Sequence, residues 1–251
     1  MKRLIHCLLV LALLVSFAIP ASAFTSSPED LSLQAKVEKR LERRGLDRDG
    51  VRIMVENGWV TLAGEVDTLR QANRIAELAQ DTRGVRGLDN YLHITSFGRK
   101  DAEIRRDIQR VLNLHLNTEV FDWVEAALSE GRVLLTGRVY NPVTQSRIAK
   151  AVADVPGVWE IYNSVEILPV SAFDDELRAQ ALTAIYSHPA FSDRALQGTP
   201  SIHIVVANGE IALKGTVATE VQARLAESLV RTGTQHFGVA NEILVTSRQR
   251  S

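Results

Sequence analysis

The sequence predicts an α+β fold written three times in tandem. Each small domain reads helix-strand-strand-helix-strand, with the helices packed on one face of a three-stranded mixed sheet. Three observations predict it. An apolar phrase recurs as VTLAGEV (60–66), VLLTGRV (133–139) and IALKGTV (211–217), each with glycine fifth: Gly64, Gly137 and Gly215. Six residues earlier stands a second glycine, Gly58, Gly131 or Gly209, preceded by Asn57, Glu130 or Asn208. Twenty-six residues later come Asn90, Asn163 and Asn241. The copies start 73 and 78 residues apart, too long a period for a solenoid of short repeats and a natural size for small domains.

The N-terminus stands outside this pattern. Lys2 and Arg3 precede an apolar run over 4–19, followed by Pro20 and the small residues Ala21, Ser22 and Ala23. These are the basic, apolar and cleavage regions of a secretory signal, so residues 1–23 are expected to be removed after Ala23. The run is shorter than the roughly 20 residues a membrane span needs. The only cysteine, Cys7, lies inside it, so an exported chain depends on packing and not on disulfides.

The three units are expected over 32–97, 99–170 and 172–247. Each opens with an amphipathic helix, over 32–44, 101–115 and 174–188, with Ser32, Asp101 and Asp174 as candidate N-caps. In the second, Ile104, Ile108, Val111 and Leu112 recur at three-four spacing and form one apolar face. Two strands then flank a tight turn, for which Asn-Gly in the first and third units is the strongest short signal. Alternation turns Val60, Leu62, Gly64 and Val66 inward, with their counterparts in the other copies. Glycine weakens a buried strand, so its reuse implies a close approach; the expected neighbour is the following helix, over 69–82 in unit one.

Arg74 and Arg147 follow the repeat glycine by ten residues and Arg224 by nine. They read as surface arginines whose stems cover the sheet edge, with anion contact as the alternative. The third strands turn Leu88, Leu92 and Ile94 inward, then Ile161, Val165 and Ile167, then Val239, Ile243 and Val245. Their asparagines are expected to be buried and to bond nearby backbone. Gly84-Val85 and Gly157-Val158 open two of these strands, whereas Gln235-His236 stands in the third, so that corner must be built differently.

Several functions are excluded by what the chain carries. With 29 Lys and Arg against 30 Asp and Glu, the balance is not that of a nucleic-acid binder. Gly84-Val85-Arg86-Gly87 spells a GxxG, but it joins a helix to a strand and is missing from the other copies. His93, His115, His188, His203 and His236 show no metal-ligand spacing. His93 and His203 fall on outer strand faces. A Gly-x-Ser-x-Gly elbow is absent, and Asp174-Asp175 reads as a helix start. The chain is expected to be non-enzymatic, with no cofactor and no metal.

Two surfaces stand out instead. Arg99, Lys100, Arg105, Arg106 and Arg110 cluster around the second unit's first helix, with Phe121 and Trp123 in the loop after it. Basic residues attract anionic headgroups and tryptophan favours the interface, so these residues form a candidate lipid site. On the outer sheet face of unit one, Met54, Trp59 and Tyr91 form a candidate partner patch.

The Asn-Gly hairpin, the LxGxV strand, the helix with Arg-Ile-Ala and the final Gly-Val strand with its asparagine together resemble the BON domain, the bacterial osmotically induced and nodulation family. The resemblance covers nearly all of residues 32–247. It implies a non-enzymatic protein exported to the periplasm, bound peripherally to anionic phospholipid or an envelope component and supporting envelope integrity or stress tolerance. The alternative is a chaperone-like periplasmic stress protein that holds other proteins through its apolar sheet faces.

Overall fold

The computed structural model describes residues 27–46, 49–95, 98–116, 119–196 and 201–246, without the side chains of 193–196. The expected signal peptide, its expected cleavage after Ala23 and Cys7 lie outside the described residues. Unit one comprises α1 (Pro28–Arg43), β1 (Val51–Glu56), β2 (Trp59–Val66), α2 (Leu69–Gln80) and β3 (Gly87–Ile94). Unit two comprises α3 (Asp101–Leu116), β4 (Trp123–Ser129), β5 (Arg132–Val139), α4 (Pro142–Ala153) and β6 (Glu160–Ile167). Unit three comprises α5 (Ala172–Tyr186), α6 (Pro189–Leu196), β7 (Ile202–Ala207), β8 (Glu210–Val217), α7 (Glu220–Gly233) and β9 (Gly238–Val245). In every unit the repeated phrase is the central strand, antiparallel to the strand before it and parallel to the strand after it. That is the mixed α+β sheet the sequence predicts. Helix α6 was not foreseen; its Phe191 plugs the third core.

All three helix starts differ from expectation: Asp101 lies just inside α3, whose first α-helical bond runs from the Ile104 amide to the Lys100 carbonyl at 3.2 Å. Ser27, not Ser32, caps α1, accepting from the Asp30 amide, with Pro28 just inside. Ser171 caps α5 and accepts from the Asp174 amide, so Asp174 lies in the first turn. These first-turn aspartates have a longer reach. Asp30 accepts from the Asn57 and Gly58 amides at 3.1 and 2.9 Å, and Asp174 from those of Asn208 and Gly209 at 3.0 and 2.8 Å. Asp101 accepts from Glu130 at 3.2 Å. Each unit thus ties its first helix to its hairpin turn. The turn residues have φ of 51° and 78°, 49° and 76°, and 53° and 79°, the left-handed pair that Asn-Gly favours.

The repeat glycine serves a different neighbour from the one expected. Gly64, Gly137 and Gly215 have φ of 125°, 130° and 116°. A Cβ on them would overlap the backbone carbonyl of Gly50, Trp123 or Ser201, at the entry of the adjacent strand. No helix is the obstacle. At that positive φ, only a residue without Cβ lets the two backbones meet.

Each unit has its own core, centred on residues such as Leu62 and Ile75, Leu135 and Ile148, and Leu213 and Ile204. Ile167 and Val245, expected inward, are exposed at their strand ends. The asparagines bond locally as expected: Asn90, Asn163 and Asn241 accept from the amides two residues on. Asn90 and Asn163 are nonetheless exposed. At the divergent corner α7 continues to Gly233, and His236 stands where Val158 is buried in unit two, its Nε2 buried without a partner.

The units touch in two unlike ways. Units one and two meet through α2 and α4, where Arg70 pairs with Asp154 at 2.6 Å and Leu69 packs on the second core. Units two and three share a closer junction. The segment 119–122 lies against β7, the Ile204 amide donating to the Val120 carbonyl at 2.8 Å. The buried Arg178 guanidinium sits 4.5 Å from the Tyr140 ring centre and donates to the Val206 carbonyl at 2.7 Å.

Candidate membrane-facing surface and partner patch

Helix α3 owes its orientation to Ile104, Ile108, Leu112 and Leu116, which pack into the second core. Arg105, Arg106 and Arg110 are therefore turned to solvent. Their charges are not equally available. Arg110 pairs with Asp107 at 2.7 Å, and Arg99 also binds that carboxylate while donating to the Pro156 carbonyl at 2.7 Å. The Arg99 hydrogen bond, joined by Arg110, holds the Asp107 carboxyl below its ordinary range. Lys100, Arg105 and Arg106 have no ion-pair partner among the described residues.

The two aromatics assigned to this site go elsewhere. Phe121 packs on the third core and lies edge-on to Tyr140, ring centres 6.4 Å apart. The Trp123 ring lies tilted against that of His203, centres 5.1 Å apart, and its indole N–H donates to Glu125 at 2.9 Å. Both are partly buried in the junction of units two and three. Short separation in sequence from α3 did not reveal that β7 takes up this loop.

The three residues of the candidate partner patch share one sheet face. Met54, Trp59 and Tyr91 come from three adjacent strands, and all are exposed on the outer face of the first sheet. The Trp59 indole donates to Asp89 at 2.9 Å and its ring covers Gly87, which leaves no space for a side chain. The outward position of His203 was expected, but the residue is buried, because unit two covers that face.

One repeated position escaped the sequence reading. Twenty-two residues after each repeat glycine stand Arg86, Trp159 and Phe237, whose amides donate to the carbonyls of Gly58, Gly131 and Gly209. Their side chains lie over those glycines. In unit three Phe237 also stacks on Phe173 at 5.4 Å, both exposed. A constant offset was the available signal, concealed by three unlike residue types.

Among the described residues no helix is long and apolar enough to cross a membrane, and no cluster of His, Cys, Asp and Glu could hold a metal.

Comparison with known proteins agrees with this architecture. The outer membrane lipoprotein DolP of Haemophilus influenzae is 31% identical over 106 residues, 42% of this chain. The match spans 54% of that relative's own length. Similar solved structures include CdsD, a structural protein of the type III secretion system of Chlamydia trachomatis, at 13% identity. There the TM-score is 0.24, with 87% of this chain and 94% of that one covered. The PrgH periplasmic domain matches at 13% identity and a TM-score of 0.20, over 82% of this chain and 100% of that one. These two likenesses are slight, and nothing about function follows from them. The BON domain profile matches residues 29–96, 100–169 and 174–247, one stretch for each sheet, and the chain belongs to the BON domain family.

Proposed function

We propose that this is a non-enzymatic envelope protein that docks peripherally on anionic phospholipid through helix α3 of unit two. The observation that carries the reading is the trio Lys100, Arg105 and Arg106, solvent-facing or at a helix entry and without carboxylate partners among the described residues. Each such charge near an anionic surface is worth about 1 kcal/mol. The outer membrane lipoprotein among its relatives supports an envelope location, and the expected signal peptide a periplasmic one. Phe121 and Trp123 are spoken for by unit three, so attraction here is chiefly electrostatic.

The test is co-sedimentation with liposomes, with and without anionic lipid, across a salt series. Replacing Arg105 and Arg106 with Glu should lower anionic-liposome binding more than tenfold while leaving folding nearly unchanged. Binding of the wild type should weaken as salt rises, because exposed charges are screened beyond roughly 8 Å at physiological ionic strength. Equal binding by wild type and variant would remove α3 from the role. The second reading, a chaperone-like stress protein that holds other proteins, is favoured by the exposed Met54, Trp59 and Tyr91. It requires binding that survives high salt and is lost on truncating those three.

A further inference from the structure

A groove of about 480 Å³ separates units one and two, between α2, α4 and the start of β6. Its charges set it apart from the equivalent helices elsewhere. Arg147 is neutralised by Glu119 at 3.2 Å. Arg224 sits one position out of register on α7 and faces Glu220 at 3.8 Å. Arg74 of α2 instead faces the groove without an ion-pair partner among the described residues, and so does Lys150 of α4. Two carboxylates line the same groove, Glu77 from α2 and Glu160 from β6, the latter also accepting from the Tyr162 hydroxyl at 2.7 Å and keeping its second oxygen for a ligand. Trp159 forms part of an apolar wall, its indole N–H fixed by the Glu130 carbonyl at 2.7 Å. The Arg70–Asp154 pair fastens the two helices beside it.

Arg70 also lines the groove but is answered by Asp154, so the two unanswered cations, Arg74 and Lys150, stand against two carboxylates. A purely anionic ligand would bring its charge towards Glu77 and Glu160, and a purely cationic one towards Arg74 and Lys150. Like-charge juxtaposition of that kind is how sites reject wrong ligands. A molecule with both charges, joined by a short apolar link, satisfies every group at once. The volume is within the range of small-ligand sites, which favour clefts between domains.

We propose that this groove binds an aminoalkyl phosphodiester head group, its phosphate against Arg74 and Lys150 and its primary ammonium against Glu77 and Glu160. The surface is distinct from α3, and it stands or falls separately. The head group can be presented by a bilayer lipid or by a free glycerol ester, and the experiment separates the two.

The test is an NMR titration of the mature protein, following the Trp159 indole N–H. Glycerophosphoethanolamine serves as the zwitterion and glycerophosphoglycerol as the anion without an ammonium. The zwitterion should shift the signal saturably and bind about tenfold tighter or more than the anion, since a hydrogen-bonded charge is lost in the latter. Arg74→Gln with Lys150→Gln should weaken the zwitterion by a similar factor. Glu77→Gln with Glu160→Gln should reverse the preference towards the anion. Circular dichroism of both double variants should match wild type, since the exchanged groups lie at the surface or half-buried. Vesicles of ethanolamine phospholipid that shift the same signal identify a lipid source; a response to the soluble ester alone identifies a free one. No saturable shift with either presentation, equal affinity for the two esters, or an unchanged preference in the carboxylate variant would overturn the assignment. The liposome result for Arg105 and Arg106 is unaffected by any of these outcomes.

Discussion

Unit one and unit three use the same edge strand for opposite purposes. β1 reads VRIMVE and buries only Ile53 and Val55, while β7 reads IHIVVA and buries five consecutive positions. The inward residues are alike. The difference lies on the outer face, where Arg52, Met54 and Glu56 correspond in register to His203, Val205 and Ala207. Unit two supplies the reason: segment 119–122, Trp123 and Tyr140 cover the junction side of unit three, and among the described residues nothing covers the outer face of unit one. The same sheet is a junction in one copy and an open surface in another. The covered copy shows what an outer face looks like once its neighbour is in place.

The largest effect that can sharpen this comparison comes from the repeat glycine. Gly64→Val or Gly215→Val places a side chain into a neighbouring carbonyl at positive φ, so each should cost its own unit about 3 kcal/mol or more. The consequence should differ between copies. Gly215→Val should loosen the junction with unit two, whereas Gly64→Val should leave units two and three standing. Hydrogen exchange resolved by segment checks this, and identical spread from both substitutions would mean that the two junctions are equally coupled.

The outer faces can be compared directly by a matched pair of substitutions. Val205→Glu buries a charge without a built partner and should cost about 2–3 kcal/mol. Met54→Glu, at the corresponding position of unit one, should stay within about 0.5 kcal/mol. Urea unfolding of both variants reads the contrast. A large loss from Met54→Glu would show that unit one's face is covered after all.

A smaller effect should appear on acidification. Burial pushes the His203 imidazole below its ordinary value of 6.5, opposed by its bond with the Glu119 carbonyl at 3.1 Å. A lowered folded value means that the neutral form is favoured in the native state. Its contribution is therefore complete above 6.5 and is lost as pH falls from there through the folded value. Asp122, buried in the same junction, acts with opposite sign: burial raises its carboxyl, so it contributes stability below its ordinary value of 3.8 and loses it as pH rises through the raised one. His203→Phe should flatten the loss between pH 7 and 5 in thermal unfolding of the junction. Unit one has no buried counterpart, since Arg52 is exposed, and should not respond. An unchanged pH profile in His203→Phe would assign the dependence to other groups.

Much of this molecule was determined by short-range order in the chain. Asn57-Gly58 and Asn208-Gly209 specify their turns because the left-handed angles are a local cost that few residue pairs meet. Alternation around Leu62, Leu135 and Leu213 specifies the central strand because one sheet face must be buried. Tertiary structure alone decided what the repeat glycine meets, since its obstacle is a carbonyl one strand away and carries no side-chain signature. It also decided the fate of Phe121 and Trp123. Aromatics serve equally in a core or at an interface, and the choice was made by β7, some eighty residues further along the chain. The aspartate tethers stayed hidden for a related reason. Asp30, Asp101 and Asp174 reach turn amides 27, 29 and 34 residues away, and a contact that spans loops of unequal length leaves no fixed period to read.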